Sequence, residues 1–359
     1  RQMCIRDSID TPVYRYNDKK EGVMMRKVNV QGMEIGVMGM GCMGFSHAHG
    51  DPAPREECIS MMRKAHEMGV TLYDTADVYA NGHNEILVGE ALAPIRSEVQ
   101  ILTKFNPEVA PVNDPANGTV AQQIEARCDA SLKRLGTDYI DIYMMHRVPD
   151  DLPIETYAEA MKNLIEKGKI KAWAMSRARE DQIRKAHAVC PVAIVQNEFS
   201  MVVRNIETDG SLQACKELGI AMTPYMPLAS GLLTGAYRPG MKLEFKNDDI
   251  HRTFSWFTEE NLEKNQPLFE MLEKFSTKKG CTYAQLALAW VMAKYDMMIP
   301  IPGMYKQEFI DSNLETCNIV LTDEEMKEID ETLATLTIHG DGAEWRVCLL
   351  YTSDAADEE

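Results

Sequence analysis

The sequence predicts an α/β protein of the (β/α)8 TIM-barrel type, and three observations carry that expectation. Eight short apolar runs recur along the chain, helix-forming segments separate them, and no glycine-rich phosphate turn opens straight into a helix. Strand-helix alternation means parallel strands joined by crossovers. Eight such units close a barrel, whereas a doubly wound open sheet more often has about five to seven strands.

The elements follow in order. Residues 28–35 read as a hairpin, VNV and MEI around Gln31 and Gly32, with glycine at the turn. The eight runs are 37–41 (VMGMG), 70–75 (VTLYDT), 99–104 (VQILTK), 139–146 (YIDIYMMH), 171–176 (KAWAMS), 192–197 (VAIVQN), 220–225 (IAMTPY) and 297–303 (MMIPIPG). Helical patterns fall at 55–68, 119–135, 153–167, 208–218 and 281–294, the first four ending at Gly69, Gly136, Gly168 and Gly219. Gly39, Gly41 and Gly44 match G-x-G-x-x-G, but FSHAHGDPAP follows, and its glycine and prolines cannot begin a phosphate-binding helix. These glycines are read as small residues in a tight turn close to a ligand. The stretch 230–260 has no periodicity and is too long for an ordinary barrel connection, so a lid is expected after the seventh strand.

Composition narrows the function classes. The 359 residues are 45% hydrophobic, enough for one large core. A formal charge of −17 with no basic patch opposes a nucleic-acid or anionic-membrane partner. Nine cysteines without a Cys-x-x-Cys read as reduced thiols of a cytoplasmic protein, and no metal is expected. No apolar run approaches the roughly 20 residues of a membrane span. The opening RQMCIRDS and closing VCLLYTSDAADEE resemble translated adapter read-through. Residues 1–24 and 347–359 are therefore read as foreign or disordered, flanking a single barrel domain over 25–346.

Four polar residues lie at the ends of consecutive runs or just beyond: Asp74, Tyr79, Lys104 and His146. Barrel active sites are built on that edge. Carbonyl reduction needs a proton donor for the developing alkoxide, and a free tyrosine at pKa about 10 is a poor one. Lys104 is expected to lower it. At about 4 Å and an effective dielectric of about 20, the Coulomb term reaches roughly 4 kcal/mol, nearly three pKa units. Asp74 would keep Lys104 charged and fixed, and His146 would hydrogen-bond the substrate oxygen.

The stretches LYDTADVYANGHNEILVGEAL, ILTKF, LKRLGTDYIDIYMMHRV, LIEKGKIKAWAMS, PVAIVQNEFS, PYMPLASGLLTG and IPIPGMYKQEFIDSN resemble the aldo-keto reductase family, in the right order over about residues 26–340. The resemblance implies that Asp74, Tyr79, Lys104 and His146 are the catalytic tetrad, with Tyr79 as proton donor to a small carbonyl substrate. It also implies a nicotinamide cofactor, NADPH with NADH as the alternative, extended across the barrel mouth. Ser176 and Gln196 would hold its carboxamide, and Cys42, Met43 and Arg177 would also be cofactor-binding. Tyr225 would stack on the nicotinamide ring, and Pro227, Leu228, Ser230 and Leu232 would cover the pyrophosphate. Gly303, Lys306 and Asn313 would line the adenosine end. Three positions depart from the family pattern. Arg177 follows the serine as in the potassium-channel β-subunit branch, Phe309 replaces a frequent arginine, and Ser312 replaces a frequent glutamate. Lys306 is left as the expected partner of a 2′-phosphate.

Two rival functions were open on the sequence. His47 and His49 imitate the H-x-H pair of metal-dependent barrel hydrolases, but no histidine closes the fifth or sixth run and the eighth ends in Pro-Gly. They are read instead as rim residues within reach of substrate. A non-catalytic, cofactor-binding redox sensor is the other alternative. Oligomeric state is left open.

Overall fold

The computed structural model describes residues 25–108, 110–246 and 249–342. The two tails read as foreign, 1–24 and 347–359, lie outside the described residues. β1 (Lys27–Val30) and β2 (Met33–Gly36) form the expected antiparallel hairpin. Its turn residues Gln31 and Gly32 have φ of 49° and 85°, the left-handed pair that matches strand twist in a two-residue connection. The hairpin plugs the floor of the barrel. The Gly36 amide donates to Thr71 Oγ1 at 3.0 Å, Arg26 Nη1 to the Asp296 carbonyl at 3.2 Å and Gln31 Nε2 to the Pro191 carbonyl at 3.2 Å, all just before barrel strands begin.

Seven parallel strands follow in sequence order: β3 (Met40–Gly41), β4 (Leu72–Asp74), β5 (Gln100–Phe105), β6 (Ile140–Met145), β7 (Ile170–Ser176), β8 (Ile194–Gln196) and β9 (Ala221–Met222). The eighth run closes the barrel as a stave without continuous strand pairing. It touches its neighbours through the parallel bridges Met222–Met298 and Gly41–Gly303. The reason is Pro300 and Pro302, which have no N–H to give a ladder. Their carbonyls still accept from the amides of Gly39 and Gly41, each at 3.0 Å, and the Ile299 amide donates to Met222 at 2.8 Å. A Cβ on Gly41 would stand 2.8 Å from the Ile301 carbonyl, and one on Gly44 would strike the Tyr305 ring. The tight turn is as expected, but its glycines make room for the eighth stave and for Tyr305.

The helices are α1 (Arg55–Glu67), α2 (His83–Leu92), α3 (Val120–Leu135), α4 (Ile154–Glu166), α5 (Glu180–Val189), α6 (Ser211–Leu218), α7 (Glu259–Lys264), α8 (Gln266–Lys279), α9 (Tyr283–Ala293), α10 (Gln307–Glu315) and α11 (Asp323–Thr335). Capping boxes start α3 and α9, where Thr119 with Gln122 and Thr282 with Gln285 satisfy each other's backbone amides. The sequence signals missed α2, which has no side-chain cap and carries Gly89, packed against the Leu135 carbonyl at the end of α3. After β9 the lid carries 3-10 turns at 229–234, 250–253 and 255–257, and residues 241–246 between them have no regular structure. Tyr237, Phe245, Phe254 and Phe257 pack around His251 to give it a small aromatic core of its own. Among the described residues, no helix is long and apolar enough to cross a membrane.

Side chains along a strand alternate between its two faces, and the register fixes which enter the barrel. Tyr73, Thr103 and Trp173 point outward, bonding the Met62 carbonyl, Glu85 Oε1 and the Cys190 carbonyl at 2.8, 2.6 and 3.1 Å. Asp74 and Lys104, one position on, and Ser176, three positions on, consequently face inward at the C-terminal mouth.

Candidate active site

Lys104 is the centre of the mouth. Wholly buried at the end of β5, its Nζ donates to Asp74 Oδ1 at 2.5 Å, to the Thr75 carbonyl at 2.9 Å and to Tyr79 Oη at 3.3 Å. All three ammonium protons thus have a partner. Gln196, closing β8, gives its amide to Asp74 Oδ2 at 2.8 Å and to Thr223 Oγ1 at 3.3 Å, so both Asp74 oxygens are occupied. Burial works against the Lys104 charge, but Asp74 and Tyr79 outweigh it and raise its pKa above the ordinary lysine value. The ammonium is therefore permanent at working pH.

Tyr79 lies five residues beyond Asp74, on a loop forced into a sharp turn. Ala80, Asn81 and Gly82 have φ of 46°, 53° and 84°, and the first two, being non-glycine residues in the left-handed region, carry strain of the kind stored at functional sites. The His146 ring meets Tyr79 edge-on at 5.8 Å between centroids, and His47 stands at 5.5 Å on another side. Burial, then the charges of Lys104, Arg147 and Arg177, holds His146 well below the usual histidine range, so it is neutral. Its Nδ1 is buried without a hydrogen-bond partner.

One expectation is overturned. Lys104 does pull the Tyr79 pKa down, but burial is the larger effect and Asp74 adds to it, so the phenol titrates above the usual tyrosine value. The Coulomb argument from sequence counted the ammonium and left out both the desolvation of a phenolate and the carboxylate behind the lysine. Tyr79 accordingly keeps its proton at neutral pH.

The other expected site residues are distributed along the same rim. Ser176 and Gln196 are buried at adjacent strand ends, paired in register across β7 and β8. Arg177, with φ of 56°, carries its guanidinium 5.8 Å from the Tyr225 ring centroid. Tyr225 is pushed up to about 12, first by burial. Cys42 is wholly buried and donates to the Met40 carbonyl, so of the pair at the first stave only Met43 reaches the rim with its side chain. Pro227 and Leu228 lead into the 229–234 turn that carries Ser230 and Leu232, the latter buried. At the eighth stave Gly303 and Lys306 are exposed, Asn313 is buried on α10, and Lys306 Nζ sits 5.2 Å over the Phe309 ring.

Sequence reasoning did not find the residues that hold this rim in place. Asn84 donates to the Cys42 carbonyl at 2.9 Å and to Ser46 Oγ at 2.8 Å, and accepts from Thr75 at 2.6 Å. Glu85 accepts from Thr103 and, at 2.5 Å, from Arg134. The available signal was a polar pair heading an otherwise apolar segment, NEILVGEAL.

Asp77 provides a separate stability test. Burial, then Glu85, raises its pKa from 3.8 to about 6, and its Oδ1 has no partner. A raised carboxyl pKa contributes stability below the unfolded value that is lost as pH rises through the folded one. Asp77→Asn is expected to leave the melting temperature unchanged near pH 4 and to raise it increasingly up to about pH 6. Above that it should stay a few degrees higher, about 3 kcal/mol. A pH-independent difference in thermal melts would show that Asp77 is ionised throughout.

Comparison with known proteins decides the family. Residues 37–334 match the model of the aldo/keto reductase family. The chain belongs to that family. A probable aldo-keto reductase 1 of Glycine max is 37% identical over 308 residues, 86% of this chain and 88% of the relative. The glycerol dehydrogenase of Gluconobacter oxydans is similar in structure, with a TM-score of 0.75 at 26% identity over 86% of this chain and 95% of that one. An aldo/keto reductase from Klebsiella pneumoniae, solved with NADP and acetate, gives 0.67 at 26% identity over the same shares. As a family member with a (β/α)8 fold, the protein is an oxidoreductase.

Proposed function

We propose that this aldo/keto reductase reduces a small aldehyde or ketone, with NADPH as the reductant and Tyr79 as the acid that protonates the carbonyl oxygen. The observation that carries the reading is the Asp74–Lys104–Tyr79 chain, in which a fixed buried ammonium donates to the phenol oxygen at the barrel mouth and leaves the phenol proton for another acceptor.

The residues present fit an extended anionic dinucleotide. Ala229, Ser230 and Gly231 have φ of 48°, 50° and 97°, a tight turn closed by its own amides, Ala229 donating to the Met226 carbonyl and Gly231 to that of Leu228, so a phosphate there would be met by the Ser230 hydroxyl. The α10 N-terminus has no side-chain cap and Lys306 stands exposed in front of it. Ser176 and Gln196 would take the carboxamide and Tyr225 the nicotinamide face, with Leu228 to Leu232 over the pyrophosphate. A reduced nicotinamide supplies the hydride when bound. Everything else is done by the chain.

Tyr79 and His146 converge on the substrate oxygen. Neutral His146 donates a hydrogen bond that fixes its angle, and Tyr79 delivers its proton as charge develops there. Lys104, held by Asp74, stabilises the phenolate that remains, so its benefit appears in the transition state rather than in the resting pKa. Asp74 is itself restrained by Gln196, which ties the acid chain to the residue proposed to hold the carboxamide.

The test is a panel of aldehydes, ketones and sugars with each reduced cofactor, followed at the nicotinamide absorbance band. Catalytic turnover with NADPH favoured over NADH is expected. Stoichiometric oxidation followed by slow exchange would instead identify a sensor. Lys306→Ala should raise the KM for NADPH severalfold and leave that for NADH almost unchanged, because only the 2′-phosphate needs the ammonium. Equal weakening of both cofactors would remove Lys306 from the phosphate.

A further inference from the structure

The lid meets the barrel rim at a polar contact that this chemistry does not use. The Ile250 amide donates to the Ala48 carbonyl at 3.0 Å and brings the 250–253 turn against the loop after β3. Three donors converge there. One atom each from His49, Asp249 and His251 lie within 4.8 Å of one another. We propose that His49, Asp249 and His251 form a site for one divalent transition-metal ion, best matched by zinc, which fastens the lid to the rim of the barrel.

The surroundings of His251 argue for this. Its Nε2 is 2.6 Å from the Ser230 carbonyl and so carries its proton there, while Nδ1 is hydrogen-bonded to the Asp249 carboxylate through a proton that the ion would replace. A ligating histidine is held in this way, one nitrogen donating to a backbone carbonyl so that tautomer and ring angle are fixed and the other is turned to the metal. His49 contributes an independent observation. Its Nδ1 is buried with no hydrogen-bond partner, and its ring is stacked on Tyr305 at 4.7 Å, which sets its orientation. A buried nitrogen left unbonded costs free energy, and a ligand there removes that cost.

Size and chemistry agree. Donors within 4.8 Å of one another lie no farther than about 2.8 Å from a common point, whereas zinc takes nitrogen and oxygen at about 2.0–2.2 Å. Each donor then closes in by less than about 0.8 Å, within the reach of small side-chain rotations. Two imidazoles and a carboxylate suit zinc or cobalt and leave a fourth position for water. Asp249 offsets part of the ion's charge. Lys306, close enough to act on the titration of His49, opposes it. The rim supplies one ligand and the lid two, so the ion favours the closed arrangement of lid on rim. The hydrolase-like His47–His49 pair lacked partners in the sequence because they were sought at strand ends. In the structure they come from about 200 residues downstream.

The site takes no part in the proposed proton transfer, although His251 bonds the Ser230 carbonyl in the run proposed to cover the pyrophosphate, and its test does not use activity. The full chain, stripped by chelator dialysis, is titrated with Zn2+ by calorimetry and with Co2+ by visible absorbance. One equivalent should bind, with a cobalt spectrum free of thiolate charge transfer and a rise in melting temperature on adding zinc. His49→Ala, on the rim loop, should melt as the parent does without metal, lose the zinc-dependent rise and weaken binding by about 100-fold. His251→Ala should weaken it equally. The proposal is overturned by any of three results: no stoichiometric uptake by the parent, a thiolate band placing the ion on cysteines, or parental affinity in His49→Ala.

Discussion

Tyr79→Phe is expected to lower kcat for carbonyl reduction by about 10²–10⁴, the share a positioned acid contributes, while cofactor affinity stays near that of the parent. The phenylalanine ring preserves the edge-on contact with His146 and the approach of His47, so packing is retained. What disappears is the hydroxyl 3.3 Å from Lys104 Nζ. The pH profile gives a second reading of the same group. A donor acts only while protonated, and burial holds the Tyr79 pKa above the ordinary tyrosine value. Reduction by the parent should therefore show no alkaline fall below about pH 10. His146, neutral because its pKa is depressed, adds no change between pH 7 and 10. Comparable turnover by Tyr79→Phe would exclude this residue as the acid, and a large fall in cofactor affinity would assign it to binding.

The barrel was legible because each stave is a short apolar run, and the polar residues proposed for catalysis stood out because they end those runs or lie just beyond them. Asp74 and Lys104 are single charges closing VTLYD and VQILTK, an arrangement with no purpose in an apolar core. The eighth stave was found from composition, although its prolines deny it ordinary pairing. Properties set by burial rather than by neighbours in sequence were not legible. The direction of the Tyr79 shift depends on how much solvent the fold removes from the phenol, and a Coulomb estimate from charge types has no access to that. Long-range placement was hidden for a related reason. Asn84 reaches back to Cys42, and His251 reaches Ser230 across the lid, through turns whose geometry local pattern does not encode.

Lys104→Met should produce two losses that can be separated. Methionine fills much of the lysine volume but leaves Asp74, only 3% exposed, with Gln196 as its remaining side-chain partner. Removing one member of a buried ion pair strands the other charge, at a cost of about 3–5 kcal/mol, whereas neutralising both is often close to neutral. The single variant should therefore melt well below the parent, and adding Asp74→Asn should restore most of the stability. Activity should not return with it. Without the ammonium the phenolate left by proton transfer is unsupported, so kcat should stay low in the double variant while Tyr79 and its proton remain in place. A double-mutant cycle on melting free energy and on kcat then gives strong coupling in the first and little recovery in the second. Recovery of both together would mean that the pair serves only to hold the barrel mouth in shape, and that Tyr79 donates its proton without help from a charge.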